Sequence, residues 1–444
     1  MIKLLLNIFI FIFISTNTWA SYPEMFGASY STSMIGNQSN LDPNDPSNNY
    51  YVPAVLAFTQ KVNVLMQATS TATNFEPIKN VVVANSTNSS NTTTNTTSGN
   101  VSTDYLKFYG SSLHFGLPIG YPEKGVIGTL GLSIYLPIGS IIETNSGNPF
   151  LPEYVMYHTR HQRTSIYLNF AHKQSENFAW SVGSILGFQA SADVSTNLDL
   201  NGGSTGSWAS AKTKVAPSIG AVLSGAFKFD HSTIYLTFQQ EMKSNLDAHV
   251  TGTIINPNLG LFDANIKSLI FYDPHTIRLG GSFNFGDFDF ISAIEYQLWS
   301  GYKTPRIDII KNGGTVTGSK NYETISTKDT INPRIGGRYH ITDRVSLALG
   351  ASYRKSPIVN NLNESGNTID TDAYILTGGF SYRIVIWSKD VTIGASLEYH
   401  QLQDKTVTKT ANQENGNAGV KLGSPGYQIG GSILSSAAGI KFNF

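Results

Sequence analysis

Apolar side chains recur at every second position through most of this chain, and that period constrains its fold more than any other feature. From Val391 to Tyr399 one face reads Val391, Ile393, Ala395, Leu397, Tyr399, and the other Thr392, Gly394, Ser396, Glu398. From Val345 to Arg354, Val345, Leu347, Leu349, Ala351 and Tyr353 alternate with Ser346, Ala348, Gly350, Ser352 and Arg354. Ile277, Leu279, Phe283 and Phe285 alternate with Thr276, Arg278, Ser282 and Asn284, and Ile166, Leu168 and Phe170 with Ser165, Tyr167 and Asn169. A period of two describes extended strands with one face in an apolar medium and the other polar. A soluble sandwich alternates in the same way, so the connections have to discriminate.

Fourteen strands are expected, at 55–69, 103–118, 124–137, 161–173, 177–192, 213–229, 232–248, 274–286, 288–302, 329–341, 343–356, 370–383, 389–403 and 427–444. Short turns sit near 123–124, 174–176, 230–231, 287, 342–343 and 388–390. Long polar connections fill 70–102, 138–160, 193–212, 249–273, 303–328, 357–369 and 404–426. Short turns at one end and long loops at the other is the outer-membrane pattern, and an even strand count puts both termini at the short-turn end. Hydrocarbon leaves no partner for an open sheet edge, so the sheet must close. The expected fold class is all-β: a 14-stranded antiparallel transmembrane β-barrel with apolar parity facing lipid and polar parity facing the lumen, its strands tilted by about 35–45°.

The ends agree with export. Lys3, the run Leu4–Ile14 and a polar stretch ending at Ala20 read as a signal peptide over 1–20. The apolar run is too short for a helical span, which needs about 20 residues. Counting back in twos from Phe444 gives Phe442, Ile440, Ala438, Ser436 and Leu434. This final strand resembles the C-terminal signal that such barrels present to their assembly machinery through Phe444. Only 14% of the 444 residues are charged and the net charge is zero, which argues against nucleic acid. The absence of cysteine removes disulfides, thiolate metal sites and thiol catalysis. No cofactor or metal is expected, and the partners expected are a hydrophobic small molecule and outer-membrane lipids around a monomer.

Residues 21–54 do not alternate. Pro23, Gly27, Gly36, Pro43, Pro46 and Pro53 flank an Asn-rich middle, and Met25, Phe26, Met34, Ile35, Leu41, Tyr50 and Tyr51 are apolar points. A solvated tail carries more charge and fewer aromatics, so a plug inside the barrel is favoured over a disordered leader. The barrel proper is then 55–444. The tract Asn85–Asn100 is expected to be a floppy polar surface loop.

Lumen-parity arginines Arg163, Arg278, Arg334, Arg338, Arg354 and Arg383 are candidates to hold a ligand carboxylate, or else to pair with lumen acids such as Glu241, Glu295 and Glu398. The connection 254–272 carries Leu261, Phe262, Phe271 and Tyr272. Apolar groups in a long loop mark a binding patch, or loop–loop packing over the barrel mouth. Pro118 and Pro137 flank the third strand, where proline marks either a wall opening or strand ends. His158 and His161 are a weak metal pair. Trp180, Trp299 and Trp387 are expected in the aromatic girdle.

Several segments resemble the FadL-type (OMPP1/TodX) outer-membrane transporters of hydrophobic compounds. Gly36 to Leu56 is similar to the family's N-terminal hatch and its Asn-Pro-Ala motif, with Val52 in place of Asn and Pro53-Ala54 matching. Gly131–Gly139, Glu295–Ser300, Ile335–Tyr339, Gly350–Pro357 and Asp372–Phe380 resemble later strands in order. The resemblance implies uptake of molecules such as long-chain fatty acids. Extracellular loops, including the one at 254–272, would capture them, the hatch would move, and release would run sideways at the third strand. A general diffusion porin, a surface receptor or adhesin barrel, and an outer-membrane lipase are the competing readings.

Overall fold

A computed structural model describes residues 23–87, 94–103, 108–121, 125–137, 152–154, 156–157, 164–198, 208–254, 261–302, 308–311, 326–359, 368–409 and 422–444. The expected signal peptide, His158, His161 and Arg163 lie outside them.

Helical turns at Pro23–Phe26, Tyr30–Ser33 and Asn48–Tyr51 are followed by a 3-10 helix, Pro53–Phe58. Strand β1 (Asn63–Phe75) precedes a hairpin, β2 (Ile78–Thr87) and β3 (Thr94–Val101). Next come β4 (Phe108–Tyr121), β5 (Gly125–Pro137), the two-residue β6 (Glu153–Tyr154) and β7 (Ser165–Lys173). The long pair β8 (Phe178–Leu198) and β9 (Trp208–Lys228) leads to β10 (Ser232–Gln239), β11 (Met242–Ile254) and β12 (Leu261–Asp273). Then follow β13 (His275–Phe285), β14 (Phe288–Leu298), β15 (Asp308–Lys311), β16 (Thr330–His340) and β17 (Val345–Arg354). The last strands are β18 (Thr368–Ile369), β19 (Ala373–Ile386), β20 (Lys389–Thr408) and β21 (Gly426–Asn443).

Fourteen of these pair in a closed antiparallel ring: β1, β4, β5, β7, β8, β9, β10, β13, β14, β16, β17, β19, β20 and β21. The seam is β1 against β21, from Asn63 opposite Asn443 to Phe75 opposite Gly431. Closure leaves no edge strand, as a hydrocarbon setting demands.

Side-chain exposure follows the expected parity. Leu347, Leu349, Leu376, Phe380, Ile393 and Leu397 are exposed outward, whereas Ser346, Thr377, Ser396 and Glu398 are buried inward. A cation on the outer face at mid-depth costs about 2–4 kcal/mol. Leu349→Arg, at a residue 74% exposed, is expected to lower folding stability by about that amount in urea titrations in lipid vesicles; no loss would contradict a lipid-facing Leu349.

Three expectations need correction. The wall starts at Asn63, not at residue 55, because Pro53 opens a 3-10 helix that carries the apolar run Val55–Phe58 inside. The strand expected at 232–248 divides at Gln240 and Glu241. Leu236 is exposed outward while Met242, of the same parity, is 1% exposed, so the chain leaves the wall there. The loops expected at 70–102, 193–212 and 249–273 contain strands. Parts of the Asn85–Asn100 tract pair in the β2–β3 hairpin, β8 and β9 extend their ladder to Asn197 opposite Trp208, and β11 and β12 form a hairpin. Beyond the point where β7 stops, β8 takes β11 as a parallel neighbour, from Ala190 opposite Leu246 to Leu198 opposite Ile254.

Candidate functional site

The N-terminal segment 23–58 lies in the lumen. All of it is buried except Glu24, Asp42, Pro43, Asn44 and Phe58. Its folding is local first. Ser29 caps the turn Tyr30–Ser33 in a reciprocal box with Thr32, which satisfies backbone donors that a dry lumen would leave bare. The wall then accommodates it where side chains are missing. A Cβ at Gly350 would stand 2.2 Å from the Gly36 nitrogen, and one at Gly394 2.2 Å from Cε2 of Tyr30. Gly350→Leu is expected to dislodge the segment, because backbone cannot yield as a side chain can; the check is protease cleavage within residues 23–58, and a segment as protected as in the parent would contradict this seating.

Two opposite sides of the lumen hold the segment by different chemistry. On the β13–β21 side the contacts are charged. Glu295 of β14 accepts from Arg278 Nε at 2.6 Å and from Arg334 Nη2 at 2.9 Å. Arg278 also donates to the Tyr50 hydroxyl at 3.2 Å and stacks over its ring at 4.7 Å, a cation–π contact. Arg334 donates to the Asn37 carbonyl, and Asn37 Nδ2 to Glu398 at 2.9 Å. Gln297 donates to Glu24 at 3.1 Å. Nearer the short-turn end, Lys441 of the last strand reaches Asp42 at 3.0 Å. Burial alone would raise the Asp42 carboxyl; the Lys441 ammonium, the Asn44 amide and Arg338 outweigh it and hold it below the usual carboxylate range.

On the β5–β10 side the contacts are aromatic and apolar. Tyr50 meets Tyr51, Tyr167 and Tyr135 with ring centroids 4.7, 5.1 and 6.2 Å apart, edge-on as the ring quadrupoles prefer. Val52, Ala54 and Val55 pack with Ile185, Val222, Tyr235, Met242 and Phe271 in one cluster. Leu56 and Ala57 continue it to Ala171 and Ala179, nearer the short turns. Toward the long loops a larger cluster gathers Met25, Phe26, Phe75, Tyr157, Tyr272 and Trp299 among others. Small cavities, each with room for about one water, flank Arg334; one touches Glu24, Ser352 and Arg354, the other Gln38, Tyr51 and Arg278. Asn37 borders both and Gln38 the second, and Asn37 Oδ1 and Gln38 Oε1 have no protein partner.

The singled-out residues fall as follows. Arg278, Arg334 and Arg354 face the lumen, each beside a carboxylate; Arg354 meets Asp370 at 2.7 Å and the Tyr157 hydroxyl at 2.8 Å. Arg338 donates twice to Asp289, at 2.9 and 2.7 Å. Arg383 is exposed. Phe271 and Tyr272 are buried in the middle and upper clusters, and Tyr272 donates to Glu241 at 3.0 Å; Leu261 and Phe262 lie on β12, their side chains outside the described residues. Val52, Pro53 and Ala54 join the last helical turn to the 3-10 helix. Pro118 faces Thr129 beside a register shift at Ile119/Gly120, and Pro137 ends β5 opposite Gly110. From Gly128 to Tyr135, β5 is paired without a register shift to β7. Trp180 and Trp387 are exposed, but Trp299 is not a girdle residue: it is 1% exposed within the upper cluster, donating to Gln297. Asp289 and Asp370 were missed as partners of the arginines.

No family model matches the chain. Alkane uptake protein A of Marinobacter nauticus is 29% identical over 163 residues, 36% of this chain. That match spans 35% of the relative's own length. Among solved structures, a Pseudomonas aeruginosa FadL homologue superposes with a TM-score of 0.63 at 17% identity, over 97% of this chain and 98% of that one. The Pseudomonas putida toluene transporter TodX gives a TM-score of 0.50 at 12% identity, over 94% and 98%. The fold is that of the FadL-type barrels which the motifs resemble.

Proposed function

We propose that the chain is a passive outer-membrane channel for hydrophobic or amphipathic small molecules, such as long-chain fatty acids, and not an enzyme. The observation that carries this is the series of apolar clusters that follow one another along the lumen from its long-loop end toward the short turns, from Phe75, Tyr157 and Trp299 through Tyr135, Tyr167 and Val222 to Ala171 and Ala179. A water-filled bore gives an alkyl chain nothing, whereas burial returns about 0.8 kcal/mol per CH₂. The names of the alkane and toluene relatives favour the same reading. In it, the upper cluster receives cargo from the loops and segment 23–58 acts as the plug. Val52, Pro53 and Ala54 are its hinge, and the register shift beside Pro118 is where the wall yields.

Uptake by cells whose outer membrane carries the chain tests this. The expected result is faster entry of a labelled hydrophobic compound with no change in entry of a polar solute of similar size. Faster entry of the polar solute would favour a general porin and sink the proposal.

A further inference from the structure

We infer that the tip of the β19–β20 hairpin is a docking site for an acidic, extended segment of a periplasmic protein. In the outer-membrane setting proposed above the short turns face the periplasm; the identity of the cargo plays no part. A break in parity marks the site. Along β19 the inward positions Ala373, Ile375 and Thr377 are buried, and the outward positions Tyr374, Leu376 and Phe380 are exposed. At its end the strand reads Arg383-Ile384-Val385-Ile386-Trp387, apolar at both parities. Val385, an inward position, is 65% exposed and Trp387 86%. Trp387 and Ser388 make the turn with φ of 50° and 62°, a conformation that favours Asn or Gly, so the turn itself does not call for tryptophan.

Lipid does not reach that far. Tyr374 and Tyr382 are both exposed on the outer face. They are eight residues apart, about 20 Å along the membrane normal for a strand rising about 3.3 Å per residue at a tilt of about 40°. That leaves about 5 Å of an apolar band about 25 Å tall. Trp387 is five residues further on, about 13 Å below Tyr382 by the same geometry. Even with the rest of the band placed below Tyr382, Trp387 clears a headgroup layer of about 5–7 Å. Val385 and Trp387 therefore face water unless a protein covers them.

The neighbours set the chemistry of that cover. Arg344 stands opposite Arg383, whose backbone N–H donates to the Arg344 carbonyl at 2.7 Å. Both arginines are exposed, and among the described residues neither guanidinium has a partner. Acids at this end are engaged elsewhere: Asp390 with Lys61, Asp289 with Arg338 and Asp42 with Lys441. Asp343, next to Arg344 in the chain, pairs with neither arginine. Like charges directly opposite repel, and one carboxylate shared between two guanidiniums replaces that repulsion with charge-assisted bonds. The ladder of β17 begins at Val345 opposite Tyr382. Past Arg383, that edge of β19 has no strand beside it among the described residues. The Val385 N–H and C=O point to this edge, as those of Arg383 do. An added strand takes these groups, sets an acid against Arg344 and Arg383, and lays apolar side chains on Val385 and Trp387.

The test uses the full-length barrel in nanodiscs of phosphatidylcholine, which has no net charge, and two short labelled peptides. One alternates glutamate with valine, the other lysine with valine. Fluorescence anisotropy is expected to show the glutamate peptide binding about tenfold more tightly than the lysine peptide, and Arg344→Gln with Arg383→Gln to remove that difference. Trp387→Gly suits the positive φ and leaves the turn intact; it is expected to weaken the glutamate peptide about tenfold. Equal binding of the two peptides, no binding of either, or a glutamate peptide indifferent to the arginine variant or to Trp387→Gly overturns the inference. Because the chain has no cysteine, a nitroxide on Trp387→Cys reports the tip alone. Relaxation by a water-soluble nickel chelate is expected; relaxation dominated by oxygen dissolved in lipid would put the tip in the membrane and overturn the inference as well.

Discussion

Deletion of residues 23–58 is expected to yield a closed barrel that conducts ions in a steady, ohmic manner, about tenfold or more above the intact chain. The wall does not depend on the segment for its hydrogen bonds. Its seam is a continuous ladder from Asn63–Asn443 to Phe75–Gly431, and every ring strand has its own two neighbours. The lumen does depend on it. Without the segment, Arg278, Arg334, Glu295 and Glu398 would face water, and the space now filled by Tyr30, Met34, Ile35 and Tyr50 would flood. The readout is single-channel current in planar bilayers. An unchanged current, or a chain that no longer inserts, would contradict an interior filled by its own leader.

Glu295→Ala is expected to be the most damaging single substitution in the wall. It leaves two guanidiniums, 3% and 8% exposed, without their shared carboxylate. Breaking a buried pair in this way costs about 3–5 kcal/mol, because an uncompensated charge stays behind. The segment should loosen with it, since Arg278 and Arg334 also hold Tyr50 and Asn37. Denaturant unfolding of the reconstituted barrel measures the loss. Replacing Glu295, Arg278 and Arg334 together by apolar residues should restore part of the stability, as it removes the stranded charges. A Glu295→Ala barrel as stable as the parent would show that the network does not hold the interior together.

Fold was more legible in the chain than site, and the reason is range. Parity repeats every two residues and reports its own medium, so the fourteen strands and the lipid-facing residues could be read locally. The failures come where a local signal has two meanings. Val55–Phe58 is as apolar as a strand, but Pro53 turns it into a helix that packs inward. Ile234, Leu236 and Phe238 share their parity with Met242, with Gln240 alone between them in that series, and the chain steps off the wall there. The arginine partners depend on register across strands. For one of them the signal was present: counting outward from the turn between Phe285 and Phe288 sets Arg278 opposite Glu295. Arg354 and Asp370 meet across a connection whose path no pattern fixes. The glycines that accept the segment, such as Gly350 and Gly394, are indistinguishable in sequence from other glycines that thin a strand.

Anomalous diffraction from crystals grown with a terminally brominated alkane bears most directly on the apolar route. Bromine peaks inside the barrel, among Phe75, Tyr157, Tyr272 and Trp299 or beside Tyr135 and Tyr167, are the expected outcome. Peaks confined to the outer face, around residues such as Leu349 and Leu376, with the interior empty of bromine, would contradict it.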